Sequence, residues 1–290
     1  MPPKLVRKIS ARSPQFETYC LDHGIYAPDY GNLDGEAIRP SNFGDIQRAI
    51  VAPRTCTPTE QDFQRFQKMV QRSTEAKAGN ILINILRNGL ESSVPYEQGA
   101  QFSNLTPLIA PVEDDPGLVE PKPDYYEGSS PTSINTKVLK DLAKTIIPTQ
   151  HDDYPVLPNY LLEFKSIDGS RRVCYCQAMY DGALGARAMQ SMLSYGKLQN
   201  TTDDTARVLT ATFDGAIVAM YAHHVRTSSS DPTKLEYYTT CLQIWCITWN
   251  YTQFKEAINA LRNGQELAAK WREEAIRGAS LMLEGSGSGE

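Results

Sequence analysis

A carboxylate and an ammonium group interrupt a stretch that otherwise reads as an apolar β-strand. Tyr160–Ser170 has the sequence YLLEFKSIDGS, in which Glu163 and Lys165 stand among leucine, phenylalanine and isoleucine. Residues two positions apart share one face of a strand, so both charged side chains point the same way. Burying a carboxylate is costly unless it is paired or binds a metal. A solvent-exposed ion-pair face, a buried structural pair and a metal site therefore compete.

Asp124 favours the metal site. It follows Pro123 upstream of the strand and supplies a second hard oxygen ligand beside that of Glu163. Two carboxylates and a backbone carbonyl suit Mg²⁺, with Mn²⁺ as a substitute, because these ions prefer oxygen ligands and retain several waters. A lysine beside such an ion orients or activates a water and stabilises charge on a phosphoryl oxygen.

Helices and strands must position these groups. Thr59-Glu60 predicts the start of one helix, and Ser73 or Thr74 the start of a second helix over about 74–87. This second helix carries Glu75 in its first turn, on the stripe that is predicted to be buried. A further helix is expected over about 175–194, and Gln177 lies where it opens.

The remaining pattern predicts an α/β fold with a central mixed β-sheet flanked by helices. An amphipathic helix is expected over 136–147, and Asp214-Gly215 predicts a hairpin. The segment LEYYTTCLQIWCITW fits either a strand or a buried helix. A last helix is expected from 251 to about 277.

The predicted domain organisation has three parts. Residues 1–58 lack periodicity and are expected to form an irregular N-terminal extension. Residues 59–280 are expected to form a single domain, because the sequence has no internal repeat and no clear linker. Residues 285–290, within the terminal GSGSGE, resemble an expression linker.

The order of these elements resembles the PD-(D/E)XK nuclease superfamily, whose core is αβββαβ. The resemblance covers roughly 74–225 and rests on Pro123-Asp124 and Glu163-Phe164-Lys165. Gln177 matches a helix glutamine and Glu75 a first-helix acid of some members. The separation of 39 positions, from 124 to 163, departs from a simple hairpin. A restriction-endonuclease-like core with an inserted helix and with N- and C-terminal helical additions would accommodate it.

The resemblance implies metal-dependent hydrolysis of phosphodiester bonds in DNA or RNA. In that scheme Asp124 and Glu163 hold Mg²⁺, with the Phe164 carbonyl as a third ligand. Lys165 orients the attacking water, Gln177 positions water or phosphate, and Glu75 is an auxiliary ligand. If the 136–147 helix belonged to the core instead of an insertion, Asp124 would lie far from Glu163.

A second similarity extends over about 59–277. The pattern PDYYEGSSP, VLPNYLLEFKS, QAMYDGALGARAM, MYAHHV and EYYTTCLQIW is similar to a group of uncharacterised fungal proteins. That group is nuclease-like in fold and has no assigned reaction. This similarity implies the same nuclease-like domain and leaves catalysis open.

A local excess of basic residues offers a place for nucleic acid, although the chain has a net charge of −5. Between Gly169 and Thr202, Asp181 is the single acid, and the basic residues are Arg171, Arg172, Arg187 and Lys197. These four side chains could meet phosphates. A solvated basic helix face explains them as well.

The start of the chain and the scattered cysteines indicate the cellular location and suggest a second candidate metal. The sequence shows no secretory signal and no membrane-length apolar run, so an intracellular location, nuclear or cytoplasmic, is expected. His223-His224 with Cys174 and Cys176 form a weaker candidate for zinc.

Three hypotheses therefore stay open: an active Mg²⁺-dependent nuclease, a nuclease-like fold without turnover that binds nucleic acid or protein, and a zinc-stabilised interaction domain. The oligomeric state does not follow from the sequence.

Overall fold

A computed structural model of the chain describes the positions of most residues. The described ranges are 8–28, 30–31, 35–71, 73–88, 94–109, 115–197 and 202–287, with side chains described to 284. Within these ranges no helix combines the length and the apolar character needed to cross a bilayer.

A seven-stranded mixed sheet forms the centre of the fold. Its strand order is β1-β7-β6-β5-β4-β3-β2, with β4–β5 and β1–β7 parallel and the other neighbours antiparallel. The strands are β1 Ile25–Tyr26, β2 Tyr96–Glu97, β3 Tyr125–Ser129, β4 Val156–Phe164, β5 Val208–Phe213, β6 Ile217–Thr227 and β7 Leu235–Cys246. The predicted α/β class with a mixed sheet is confirmed.

Eight α-helices in the described ranges cover both faces of the sheet. They are α1 Phe16–Asp22, α2 Phe43–Ile50, α3 Glu60–Val70, α4 Glu75–Arg87, α5 Thr136–Asp141, α6 Ala143–Ile146, α7 Arg171–Ser194 and α8 Tyr251–Gly287. Helix α7 packs on one face, against β4, β5 and β6. The opposite face is covered by α3, α4 and the first part of α8. Each face has its own apolar core cluster.

Strand β4 is apolar because both of its faces are buried. Leu161 belongs to the core under α7, whereas Leu162 and Phe164 belong to the core under α4 and α8. The alternation in YLLEFKSI, residues 160–167, predicts a strand through Ile167, but β4 ends at Phe164. The Lys165 N–H still donates to the Phe213 carbonyl, at 2.7 Å, before the chain turns away.

The segment between β3 and β4 contains an inserted helical pair, which replaces the single helix predicted over 136–147. Helices α5 and α6 meet at Leu142. Strands β3 and β4 pair directly and antiparallel around this insertion, with Tyr125 opposite Leu162. The inserted residues therefore lengthen the connection without separating Asp124 from Glu163.

The start of α7 also differs from the prediction. Ser170 caps the helix by accepting a hydrogen bond from the Val173 N–H, at 3.3 Å, so the helix begins at Arg171. Gln177 consequently lies in the second turn and does not open the helix.

Residues 1–58 were expected to be irregular, and this is wrong for three short elements. Helix α1 buries Phe16 and Cys20, and α2 buries Ile46 and Ile50, each pair four positions apart. Strand β1 adds a parallel edge to β7. These elements are too short to give a clear periodic signal, because their stability comes from packing against the rest of the chain.

The C-terminal half follows the predicted turns closely. Asp214 and Gly215 join β5 to β6, and Gly215 has a φ of +85°, which favours glycine. The ambiguous segment after residue 234 is strand β7. Helix α8 continues past the expected end near 277 to Gly287. Of the predicted linker 285–290, residues 288–290 lie outside the described residues.

Candidate functional site

The Pro-Asp and Glu-x-Lys segments lie on neighbouring strands. Asp124 immediately precedes β3, and the Phe164 N–H of β4 donates to its Oδ2 at 2.7 Å. Because Tyr125 pairs with Leu162, Asp124 stands across from Glu163. Burial raises the pKa of Asp124 above its ordinary value, although the Phe164 N–H and Lys165 oppose this rise.

Glu163 is a buried acid with 1% exposure. Neither of its carboxylate oxygens has a well-formed hydrogen bond within the part of the chain that the structure describes. Burial raises the pKa of Glu163 well above its ordinary value, and the nearby charges of Asp181 and Asp124 raise it further. A divalent cation or a proton would relieve this repulsion.

Lys165 supplies the positive charge among these acids. Its Nζ lies 3.1 Å from Glu75 Oε1 and 3.9 Å from Glu163 Oε2, and it also donates to the Phe164 carbonyl oxygen. Burial opposes the charged form, but the acids, led by Glu163, outweigh it and raise the pKa of Lys165. The ammonium group therefore stays charged beside Glu163.

Helix α4 brings Glu75 to this lysine from the other side of the sheet. Thr74 is the residue before the first turn, and Glu75 opens the helix as predicted. One turn further, a Cβ at Gly79 would lie 2.3 Å from Cδ2 of the Phe164 ring. A glycine is thus needed for α4 to approach β4 closely enough for the Glu75–Lys165 contact.

Helix α7 closes the other side of the site with Gln177 and Asp181. A cavity of about 360 Å³ is lined by four of the five predicted catalytic residues: Glu75, Asp124, Lys165 and Gln177. Glu163 lies behind this lining. The Gln177 Oε1 atom is buried and has no hydrogen-bond partner among the described residues.

Asp181 was not predicted as a site residue. It lies four positions after Gln177, on the same helix face, and it also lines the cavity. Burial raises the pKa of Asp181 to about 7. In the sequence, Asp181 is recognisable only as an isolated acid one helical turn after Gln177, in a helix rich in small residues. The fold shows that Asp181 adjoins Glu163.

The donor set at this cavity fits a hard divalent cation in its chemistry. The carboxylates of Glu75, Asp124, Glu163 and Asp181 lie around the Lys165 ammonium group, and neither oxygen of Glu163 has a well-formed hydrogen bond among the described residues. Among the described residues no group of three or more His, Cys, Asp or Glu side chains is arranged to hold a metal. A metal here stays a prediction, with Asp124 and Glu163 as its predicted carboxylate ligands; the third predicted ligand, the Phe164 carbonyl, already accepts a hydrogen bond from Lys165 Nζ.

The four predicted nucleic-acid-binding residues are not brought together. Arg171 pairs with Asp214 at 2.6 Å, and Arg172 pairs with Glu17 at 2.7 Å, both at the start of α7. Arg187 is held by loop carbonyls, including that of Pro107 at 3.1 Å. Lys197 lies beyond the other end of α7, roughly 35 Å along the helix from Arg171.

Two other cations lie closer to the acids. Arg12 and Lys122 are exposed and line the same cavity, and neither has a described ion pair. The N-terminal segment and the loop before β3 therefore add positive charge to that of Lys165 at this cavity.

The alternative zinc residues serve packing and polar contacts. His223 lies between Thr210 and Thr239, whose hydroxyls are 2.8 Å and 3.3 Å from its ring nitrogens. Cys174 instead donates from Sγ to the Glu163 carbonyl. The six cysteines are free thiols.

The comparisons with known proteins give one family. The model of a domain of unknown function, DUF7924, matches residues 49–279 of the 290-residue chain. A search of curated proteins gives no significant match. The matched region includes every element from α3 to the greater part of α8, and with it the acidic cavity apart from its N-terminal wall. Because this match covers more than half of the chain, the chain belongs to the DUF7924 family.

Proposed function

We propose that this protein is a metal-dependent nuclease of the PD-(D/E)XK type that hydrolyses phosphodiester bonds in DNA or RNA. One observation carries the proposal: Asp124, directly before β3, stands across from Glu163 of the antiparallel neighbour β4, with Lys165 beside them. The similarity to the uncharacterised fungal group is part of the same proposal. An intracellular location, nuclear or cytoplasmic, would bring the protein to such substrates.

The order of elements supports the proposed restriction-endonuclease-like core. From α4 to β5, with the inserted helices set aside, the chain runs helix, three strands, helix and strand. The crossover through α7 joins β4 to a parallel β5. An αβββαβ core would contain these six elements, with α1–α3 and α8 as additions.

A bound Mg²⁺, held by Asp124, Glu163 and the Phe164 carbonyl, would polarise a phosphoryl oxygen and lower the pKa of a bound water. Lys165 then orients the attacking water or donates to a phosphoryl oxygen, and Glu75 holds its ammonium group in place. The Gln177 amide lies at the same cavity and positions water or phosphate. Asp181, on α7, raises the pKa of Glu163 through its own negative charge.

The test uses labelled single- and double-stranded DNA and RNA with the full chain. Mg²⁺ or Mn²⁺ should support cleavage, EDTA should stop it, and Ca²⁺ should support little turnover. Glu163→Gln and Lys165→Ala should each lower the rate by at least about 100-fold, because the first weakens a metal ligand and the second removes charge stabilisation at the reacting phosphate. The exposed Glu256→Gln and Lys77→Ala are matched controls and should leave the rate unchanged. Cleavage that survives Glu163→Gln would come from another site or a contaminant and would refute the proposal.

A second candidate function is a nuclease-like fold without turnover that binds nucleic acid or protein. The contact of Lys165 Nζ with Glu163, Glu75 and the Phe164 carbonyl favours it, since the lysine already serves as a counter-ion. In this case the parent protein should show no Mn²⁺ binding by calorimetry. Glu163→Ala should then destabilise the fold by several kcal/mol, as expected when one partner of a buried pair is lost.

A further inference from the structure

A second buried charge lies at the far end of β3. Arg272 of α8 is 3% exposed. Its Nε donates to Ser129 Oγ at 3.2 Å, and its Nη1 donates to Asn159 Oδ1. No ion pair with a described residue involves this guanidinium, although a buried cation normally requires a counter-charge.

Glu127 is the acid with the largest electrostatic effect on Arg272, and one of its two carboxylate oxygens is already hydrogen-bonded. Its Oε1 accepts hydrogen bonds from the Tyr125 hydroxyl at 2.6 Å and from Gln265 Nε2 at 2.5 Å. Burial raises the pKa of Glu127, while its hydrogen bonds from Tyr125 and Gln265 and the charge of Arg272 oppose this rise. Arg272 thus interacts with Glu127 through space, without an ion pair to a described residue.

The outer side of Arg272 faces a cavity of about 480 Å³. Arg272 lines this cavity, and its Nη2 atom has no hydrogen bond to a described residue. Ser129 accepts from Arg272 and keeps its own hydroxyl hydrogen free to donate. Arg277, five positions along α8, is exposed at the same cavity.

We propose that this cavity binds a phosphate monoester. Two arginines against the single carboxylate of Glu273 leave a positive lining. A monoester carries close to two negative charges at neutral pH, so it compensates Arg272 and Arg277 better than a carboxylate or a phosphodiester would. Arginine and serine donors also suit a phosphoryl group, which has three acceptor oxygens. The remaining lining includes Pro95 and Ile276, which provide apolar surface for the organic part of the ester.

This site is separate from the acidic cavity. Asp124 precedes β3 and Ser129 ends it, a separation of roughly 17 Å along the strand. The acid cluster also lies partly under α7, whereas Arg272 belongs to α8. Binding at Arg272 therefore does not depend on nuclease activity.

The test is calorimetric titration of the full chain with phenyl phosphate and with inorganic phosphate, at constant ionic strength set by KCl. Phenyl phosphate should bind saturably and more tightly than inorganic phosphate, and phenol should not bind. Arg277→Ala should weaken phenyl phosphate binding by about tenfold, the effect of losing one charge-assisted contact. Lys270→Ala, an exposed cation on the same helix outside the cavity, should leave the affinity unchanged.

Arg272→Met should abolish binding while retaining most of the side-chain volume. If this variant does not fold, Arg277→Ala and its control still decide the outcome. Absence of saturable binding, equal loss in Arg277→Ala and Lys270→Ala, or tighter binding of inorganic phosphate than of phenyl phosphate would each overturn the proposal. Unchanged phosphate binding in Glu163→Gln, with or without loss of cleavage, would keep this site distinct from the acidic cavity.

Discussion

Lys165 is the residue on which the charge of the acidic cavity depends. Its ammonium group contacts Glu75 and Glu163, while Asp124 and Asp181 lie close enough to affect the pKa of Glu163. Without it, the acids would have to bind protons or a metal to remain buried. The stability of the fold should therefore depend both on the Lys165 ammonium group and on added divalent cations.

Lys165→Met should lower the free energy of unfolding by about 1–3 kcal/mol in EDTA, less than for a fully ionised buried pair because Glu163 can take up a proton. Mg²⁺ should then stabilise the variant more than the parent, since the cation replaces the lost ammonium. Urea unfolding at pH 7 with and without Mg²⁺ measures both effects. Lys77→Met, an exposed lysine on α4, is the control and should change stability by less than about 0.5 kcal/mol. Equal stability of Lys165→Met and the parent would contradict the counter-ion role.

His223, which packs against Gly182 in the middle of α7, makes stability depend on pH. Burial lowers its pKa from 6.5 to about 3, with a smaller contribution from His224. Between these values the unfolded chain binds a proton that the folded protein does not. The unfolding free energy should therefore fall as pH drops below 6.5, by at most about 1.4 kcal/mol per pH unit.

Urea unfolding of the parent and of His223→Gln at pH 7.5, 6 and 5 tests this prediction. The difference between the two proteins isolates His223, because the carboxyl group of Asp181, with its raised pKa, acts in the opposite direction in both. The difference should shrink as the pH falls. A constant difference across the three pH values would show that His223 does not titrate in this way.

At the scale of elements, glycines decide how closely the helices approach the sheet. Gly79 brings α4 against Phe164, and a Cβ at Gly182 of α7 would lie 2.2 Å from the His223 ring. Both contacts place helices that carry site residues. Small residues in these helices therefore serve packing, which then positions Glu75, Gln177 and Asp181.

Gly79→Ala should destabilise the protein by about 1–3 kcal/mol, because the new methyl group must displace the Phe164 ring. Gly278→Ala is a matched control within α8, where a Cβ meets nothing within 4 Å. It should stabilise by about 0.5–1 kcal/mol through helix propensity. Thermal and urea unfolding compare the two variants. If both substitutions stabilise, the close approach of α4 to β4 is not required.

At the scale of the whole molecule, the N-terminal segment completes both cores. Phe16, Cys20 and Ile25 belong to the cluster under α7, and Ile46 and Ile50 belong to the opposite cluster. The same segment lines the acidic cavity through Ser10, Ala11 and Arg12. We therefore expect the folding unit to extend upstream of residue 59, where the sequence predicts its boundary.

A chain beginning at Thr59 should lose cooperative unfolding. Burying five apolar side chains contributes on the order of 10 kcal/mol, which is comparable to the whole stability of a domain. Near-UV circular dichroism and urea unfolding of this chain and of the full chain provide the measurement. A cooperative transition with an unchanged spectrum would show that residues 59–280 fold alone, as the sequence suggested.

The sequence by itself determined the elements that have strong local signals. Alternation in YLLEFKSI predicted β4, Thr59 and Thr74 predicted the starts of α3 and α4, and Asp214-Gly215 predicted the β5–β6 hairpin. These signals work because side-chain periodicity and turn chemistry depend on residues only a few positions apart. The candidate residues Glu75, Asp124, Glu163, Lys165 and Gln177 also came from the sequence, through motif order.

Only the tertiary structure decided how those residues meet. Asp124 and Glu163 are 39 positions apart, on either side of the long connection between β3 and β4. No local sequence pattern determines the register in which two strands so far apart pair. The same holds for Asp181, which adjoins Glu163 only because α7 packs across β4. The arginines of α7 read as a basic face in the sequence, yet the fold pairs Arg171 and Arg172 with distant acids. Charge partners and burial are set by contacts between distant segments, so they became visible only once the chain was folded.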